Sequence, residues 1–379
     1  MVSSPKKQVF LIGFFLVFSA SLFTYVASSF LKTIIREDLL GLIYSASAVG
    51  SLLLISFTPR LARRFGLLRP SRYLGLIVIL GYLGLTTINL PAVQLALFII
   101  TEASVITLGL WLDIYLEGLT VNSETGRVRG GYLTVLNAAI LIAPLISGLT
   151  LNHFGSFHAI FLLSLTVSIP FGYFLFRRLE NRLIPKMNLP LNRELRNPDL
   201  RRILCLDLLF DLFYFVMVVY LPLHLHLTVG LSWPKIGVIF TIMLIPFVLT
   251  DYLLGYLADS RYGEKELLIL GLLIAGLATL PIAWITTTNW LIWAALLFAT
   301  RVGASAWEAM KEIYLFKKVD MGEVSVITLS RSMIPVSFLI GSLASVILLT
   351  FLPVAQLFTV LGLVVLSGII IAYQLVDTT

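Results

Sequence analysis

The chain has 379 residues, 59% of them hydrophobic and 12% charged, and a mean hydropathy of +0.98. Such a composition excludes an ordinary water-soluble domain, whose apolar share is about half, and no stretch outside the apolar runs is long enough to close a core of its own. Nor does the net charge of +7 point to nucleic acid: Lys and Arg sit in short loops between apolar runs, the pattern that orients membrane helices.

A helix needs about 20 apolar residues to cross a bilayer. On that measure the sequence predicts an all-α integral membrane protein with twelve transmembrane helices, centred near Ser19, Ser51, Leu80, Ser104, Ile140, Ser168, Tyr214, Phe247, Ala275, Arg301, Phe338 and Leu363. The first run, Val9 to about Leu31 behind Lys6 and Lys7, is too long for a signal-peptide core and reads as a retained helix. Between the sixth and seventh runs lies the one long polar stretch, RRLENRLIPKMNLPLNRELRNPDLRR (177–202). It predicts a six-helix bundle over residues 1–177, a basic cytoplasmic linker over 178–202 and a second six-helix bundle over 203–379. Cys205 stands alone, which excludes an intrachain disulfide.

Basic residues set the orientation. The amino terminus, the loop with Arg60, Arg63, Arg64, Arg69 and Arg72, then Arg127 with Arg129, the linker, Arg261 with Lys265, and Lys317 with Lys318 all fall on one side. Lys32, Arg36 and Lys235 fall on the other, so the positive-inside rule puts both termini in the cytoplasm and the chain, as a multi-pass protein, in the plasma membrane.

The halves repeat each other. PRLARRFG (59–66) after the second run corresponds to YLADSRYG (256–263) after the eighth, and Asp113 and Glu117 correspond to Glu308 and Glu312 at the same four-residue spacing. ETGRVRG (124–130) is echoed by DMGEVSV (320–326), and an apolar run with one proline, Pro144 or Pro335, follows each. Correspondences in one order at a nearly constant offset imply two parallel repeats.

With these features the chain resembles the major facilitator superfamily over essentially its whole length. The sharpest local match is Gly255-Tyr-Leu-Ala-Asp-Ser-Arg-Tyr-Gly263, similar to the family's cytoplasmic signature with Gly255, Asp259, Arg261 and Gly263 in place. The first-half copy departs from it, with Thr58 for the opening glycine and Ala62 for the aspartate. AILIAPLISG (139–148) resembles a small-residue and proline motif of antiporter branches, although close helix packing explains it almost as well. The resemblance implies that the first, fourth, seventh and tenth helices line a central cavity, and that Asp259 contacts the start of the fifth helix near Arg129 when the cytoplasmic side is closed.

Depth sorts the charges, because an ionisable group at the bilayer centre costs at least about 2.5–3.5 kcal/mol. Asp113, Glu117, Glu308 and Glu312 fall in the last turns of their helices, where two readings stand: ordinary interfacial solvation, or a cytoplasmic gate in which acids pair with Arg127 and Arg129. Glu102 and Arg301 are near helix centres and are expected to face each other at substrate depth, Glu102 as proton acceptor and Arg301 as its partner or as an anchor for an anionic group. Asp211, with Tyr214 beside it, is a second coupling candidate. Asp251 and Arg331 read as a pair within the second half. Tyr25, Ser21, Thr24, Ser28 and Asn137 offer uncharged hydrogen bonds at similar depth, and His224 with His226 alternate too closely to share a helix face.

The expected activity is secondary active transport of a small solute, coupled to protons or another ion and leaning towards efflux, with uptake and a transport-inactive receptor as alternatives. No GxxxxGK[ST] loop, Gly-x-Ser-x-Gly or His-Glu-x-x-His is present, so no enzyme, cofactor or metal centre is expected. The expected partners are the solute, the coupling ion and the lipid bilayer, for a monomer that binds no nucleic acid.

Overall fold

The computed structural model describes residues 5–120, 125–177, 179, 196–260, 263–318 and 324–376, and among these every regular element is helical. The long helices are α1 (Pro5–Thr24), α2 (Leu40–Phe65), α3 (Leu68–Thr87), α4 (Pro91–Gly118), α5 (Thr125–Phe154) and α6 (Phe157–Arg177). They are followed by α7 (Pro198–Val219), α8 (Trp233–Ser260), α9 (Glu264–Thr279), α10 (Trp290–Lys318), α11 (Val324–Leu349) and α12 (Val354–Tyr373). Each predicted centre lies inside one of them. In hydrocarbon nothing but the chain itself satisfies backbone N–H and C=O groups, and a helix does so internally.

Ten spans among the described residues are long and apolar enough to cross a membrane. In α3, Arg69, Pro70, Ser71 and Arg72 dilute an apolar run, and α8 contributes the shorter apolar stretch Trp233–Leu249. Outward-facing Leu53, Leu80, Leu162, Ile169, Leu277 and Leu363 are all exposed, as expected of side chains that meet lipid rather than water.

The basic linker ends earlier than its composition suggests. Its last residues, Pro198–Arg202, form the first turns of α7, because Asn197 caps the helix by accepting from the backbone N–H groups of Asp199 (2.9 Å) and Leu200 (3.5 Å). Proline at the first helical position and an aspartate in the first turn complete a strong start signal.

Packing repeats between the halves. α1 lies against α5 and α6, α3 against α4 and α6, and α2 against α4; α7 lies against α11 and α12, α9 against α10 and α12, and α8 against α10. Adding six to each number in the first set produces the second. Across the halves α2 meets α11 and α5 meets α8, two contacts that exchange under the same operation.

A shared break appears as well. α1 stops at Thr24 and resumes as the short helix Ala27–Lys32, while α7 stops at Val219 and continues through Leu221–Leu223 and a π-helical turn, His224–Thr228. A tyrosine, Tyr25 or Tyr220, stands at each interruption. Pro222 explains the second, since it has no N–H to donate to the preceding turn.

The two ends of the molecule differ. At the end opposite the basic loops, the far face, small residues let backbones touch: a Cβ on Gly41 would stand 2.4 Å from the Ser342 carbonyl oxygen, one on Gly148 2.5 Å from that of Trp233, and one on Gly237 2.6 Å from that of Pro144. Ser45 and Ser342 hydroxyls bond at 2.6 Å, and Thr241 donates to the Leu141 carbonyl at 3.2 Å. One apolar core therefore joins Phe23, Phe30, Tyr44 and Phe161 of the first half to Phe215, Tyr220 and Phe240 of the second. At the basic face a separate cluster holds the first half alone, including Val9, Ile55, Trp111, Tyr115, Tyr132 and Phe171.

Overpacking a tight site costs about 1–3 kcal/mol. Gly148→Val is therefore expected to lower the thermal unfolding midpoint, whereas Gly109→Ala, where an added Cβ meets nothing within 4 Å, leaves it unchanged or raised; differential scanning fluorimetry of the two variants checks this.

Candidate functional site

A charged network crosses the molecule near the basic face. Arg331, seven residues into α11, donates from Nε to the Asp113 carboxylate of α4 at 3.0 Å and from Nη2 to Glu312 of α10 at 3.4 Å. The first bond joins the two halves. Beside it the Lys311 ammonium pairs with Asp207 of α7, which also accepts from the Ser330 hydroxyl. Lys311 lies 4.2 Å from the centre of the Phe210 ring and is almost wholly buried. Asp211, one turn further along α7, sits in the combined field of Lys311, Asp207, Arg331 and Glu308. Two clefts flank the network. Both are small: one is lined by Asp113, Glu117, Thr120 and Tyr132, the other by Asp207, Lys311, Glu312 and Ser330.

This arrangement adds a partner that the sequence did not suggest. Asp113 pairs with Arg331 of the second half; its expected partners Arg127 and Arg129 have side chains outside the described residues, as do Asp251 and Asp259, while Arg261 lies wholly outside them and Gly255 is described only as part of α8. Gly263 is described and opens α9 as its N-cap. The repeat register also moves by one turn. Counted from their first residues, Asp113 is the twenty-third residue of α4 and Glu312 the twenty-third of α10, so these two correspond, and both bind Arg331.

Glu102 and Arg301 are each the twelfth residue of their helices, at matching depth. They form no ion pair with each other. Glu102 is half-buried inside the first half, its electrostatic neighbours being Tyr44 of α2 and Tyr82 of α3. Arg301 is fully buried; its guanidinium lies over the rings of Phe213 (5.1 Å) and Tyr214 (5.0 Å), within electrostatic reach of Tyr25. Nε, Nη1 and Nη2 have no hydrogen-bond partner among the described residues. Tyr25 packs against Phe240 of α8, so this cation sits where the halves meet. Asn137 is half-buried on α5 and is not part of either cluster.

His224 is buried against Trp293 and Phe358, whereas His226 packs on Trp233 and bonds the Leu231 carbonyl, so the two imidazoles point apart. No group of three metal-binding side chains occurs among the described residues. Thr58, which replaces the signature glycine, accepts from the Trp111 indole at 2.8 Å and ties α2 to α4.

Residues 9–310 match the family model described as Major Facilitator Superfamily, which covers most of the chain. The chain belongs to the Major Facilitator Superfamily. It is therefore a multi-pass membrane transporter and not an enzyme. A search of curated protein sequences gave no match. For this superfamily member the sequence reading missed Lys311 and Ser330 as partners of Asp207. A lysine three residues after Glu308 and one before Glu312 looks like an ordinary helix-end charge, and only the packing of α10 on α7 turns it inward.

Removing one member of a buried ion pair strands the other, which costs about 3–5 kcal/mol, whereas removing both costs less. Lys311→Met is expected to destabilise the protein more than Asp207→Asn with Lys311→Met together, as read by chemical or thermal unfolding in detergent. A double-mutant cycle on Asp113→Asn and Arg331→Gln should yield a coupling of roughly 0.5–3 kcal/mol; a coupling near zero would mean that the bridge contributes nothing to joining the halves.

Proposed function

We propose that this transporter is a secondary active carrier with twelve spans in two six-helix bundles related by a pseudo-two-fold axis, moving a small solute by alternating access. The observation that carries the reading is the unequal join between the halves: a continuous apolar core at the far face, and at the basic face a divided core bridged by Asp113 and Arg331. An ion pair there is a gate of the right strength, because a charge-assisted bond near water is worth far less than a fused core and exchanges readily for solvation. The positive-inside rule makes the basic face cytoplasmic, with both termini on that side of the plasma membrane. Asp113, Arg331 and Glu312 then form the inner gate, with Lys311, Asp207 and Ser330 holding its second-half wall.

Proton coupling follows from Glu102 and Asp211. Glu102 is an acid at mid-depth with no cation paired to it among the described residues, and an intramembrane ionisable group is kept for function far more often than for stability. Asp211 lies close enough to the gate cations for its charge to depend on whether the gate is shut. The small residues of AILIAPLISG, including Ala139, Ala143 and Ser147, are buried, and Gly148 touches α8; this supports close packing, and the exchange direction rests on the motif's likeness alone.

Proteoliposomes loaded with a solute panel and subjected to an imposed pH gradient test the reading. The expected outcome is gradient-driven flux of at least one solute, which Glu102→Gln abolishes while solute counterflow persists. Flux that ignores the pH gradient in the wild type would remove proton coupling, and absence of any flux across the panel would favour a receptor built on the transporter fold.

A further inference from the structure

We infer that the substrate is an organic monoanion, a carboxylate on an aromatic or otherwise apolar body, held by Arg301 between Tyr25 and Tyr214. This deepens the transporter reading and rests on it. Arg301 is fully buried at mid-depth, and its guanidinium nitrogens have no acceptor among the described residues. Two aromatic faces offset part of the cation's desolvation, but a ring face accepts none of the five in-plane N–H bonds that a guanidinium offers. The fork geometry of those donors matches a carboxylate in two parallel bonds. No acid among the described residues supplies this: Glu102, at the same depth, has Tyr44 and Tyr82 as its electrostatic neighbours, and Asp211 lies in the field of Lys311.

Charge balance limits the ligand to one negative charge. Arg301 is a single cation, and Lys311 and Arg331, which lie nearer the basic face, are already neutralised by Asp207, Asp113 and Glu312. A phosphate monoester would bring an uncompensated charge into an apolar site. The walls indicate the rest of the molecule. Tyr25 packs against Phe240 and Tyr214 against Phe247, so the surfaces around the guanidinium are aromatic and come from both halves of the chain. Tyr214 is half-buried, whereas Arg301, Tyr25 and Phe213 are buried. A ligand here contacts α1, α7, α8 and α10 together, and its binding is therefore sensitive to their relative position.

Thermal stabilisation of the purified full-length protein by benzoate, octanoate, benzamide, benzylammonium and inorganic phosphate tests the assignment. Benzoate and octanoate are expected to raise the melting temperature saturably, while the neutral, cationic and inorganic probes do not. Arg301→Gln should weaken benzoate binding on the order of 10- to 100-fold, and Arg301→Lys, which keeps the charge but not the fork, by less. Tyr214→Leu, which removes a wall and leaves the cation, provides a folded variant in which benzoate binding weakens while discrimination against benzamide persists. Equal shifts from benzoate and benzamide, no shift from either carboxylate, or a benzoate shift unchanged in both Arg301 variants overturns the proposal. Failure of the transporter reading looks different: benzoate then binds through Arg301 but no probe or panel solute crosses proteoliposomes. Conversely, pH-driven flux of another solute without carboxylate binding removes this proposal alone.

Discussion

A bilayer core offers no water to a charge, and the pairing of the buried ionisable side chains described above follows from that. Asp207 and Lys311 are tolerated because they neutralise each other and share Ser330; Arg331 because two carboxylates reach it from different helices. The pairing has a geometric by-product. Since Asp113 belongs to the first half and Arg331 to the second, satisfying the arginine also holds the halves together at the basic face. Arg301, buried with no acceptor among the described residues, and Glu102, with no paired cation among them, are exceptions, and such exceptions are where chemistry directed at a ligand or a coupling ion is to be sought.

Much of this was legible in the sequence, for physical reasons. Helix centres follow from apolar length, and the repeat follows from motifs that keep their order, so the helices and the exchange of α2–α11 with α5–α8 contain few surprises. Glu102 and Arg301 were singled out by depth, and each is the twelfth residue of its helix, α4 or α10. Their partners were not legible. Depth along a helix comes from counting residues, whereas direction around it depends on which neighbour packs there. Glu102 therefore turned out to face its own half, and Arg331 to reach Asp113. The one-turn slip in the repeat has the same origin: Glu308 and Glu312 both fit a four-residue spacing, and only the starts of α4 and α10 decide between them.

The departure of the first-half signature also acquires a cause. A glycine at residue 58 would leave the Trp111 indole N–H without the acceptor it has in Thr58, in a region where a lost hydrogen bond is not replaced by water. Thr58 thus anchors α2 on α4, the helix that carries Asp113, and the loop after α2 closes on Gly66 at φ 70°, the left-handed geometry that suits glycine. The first half is braced internally at this end while the second half supplies the arginine.

The paired interruptions at Tyr25 and Tyr220 make levers of α1 and α7. Beyond each break the short outer segment belongs to the core that spans both halves, while the long segment runs towards the basic face. The 20 residues of Pro5–Thr24 extend about 30 Å, so a bend of roughly 10° at the break displaces the other end by about 5 Å, the width of a small solute. A solute-sized displacement at the basic face thus needs a bend of only about 10° at each tyrosine, amplified by helix length.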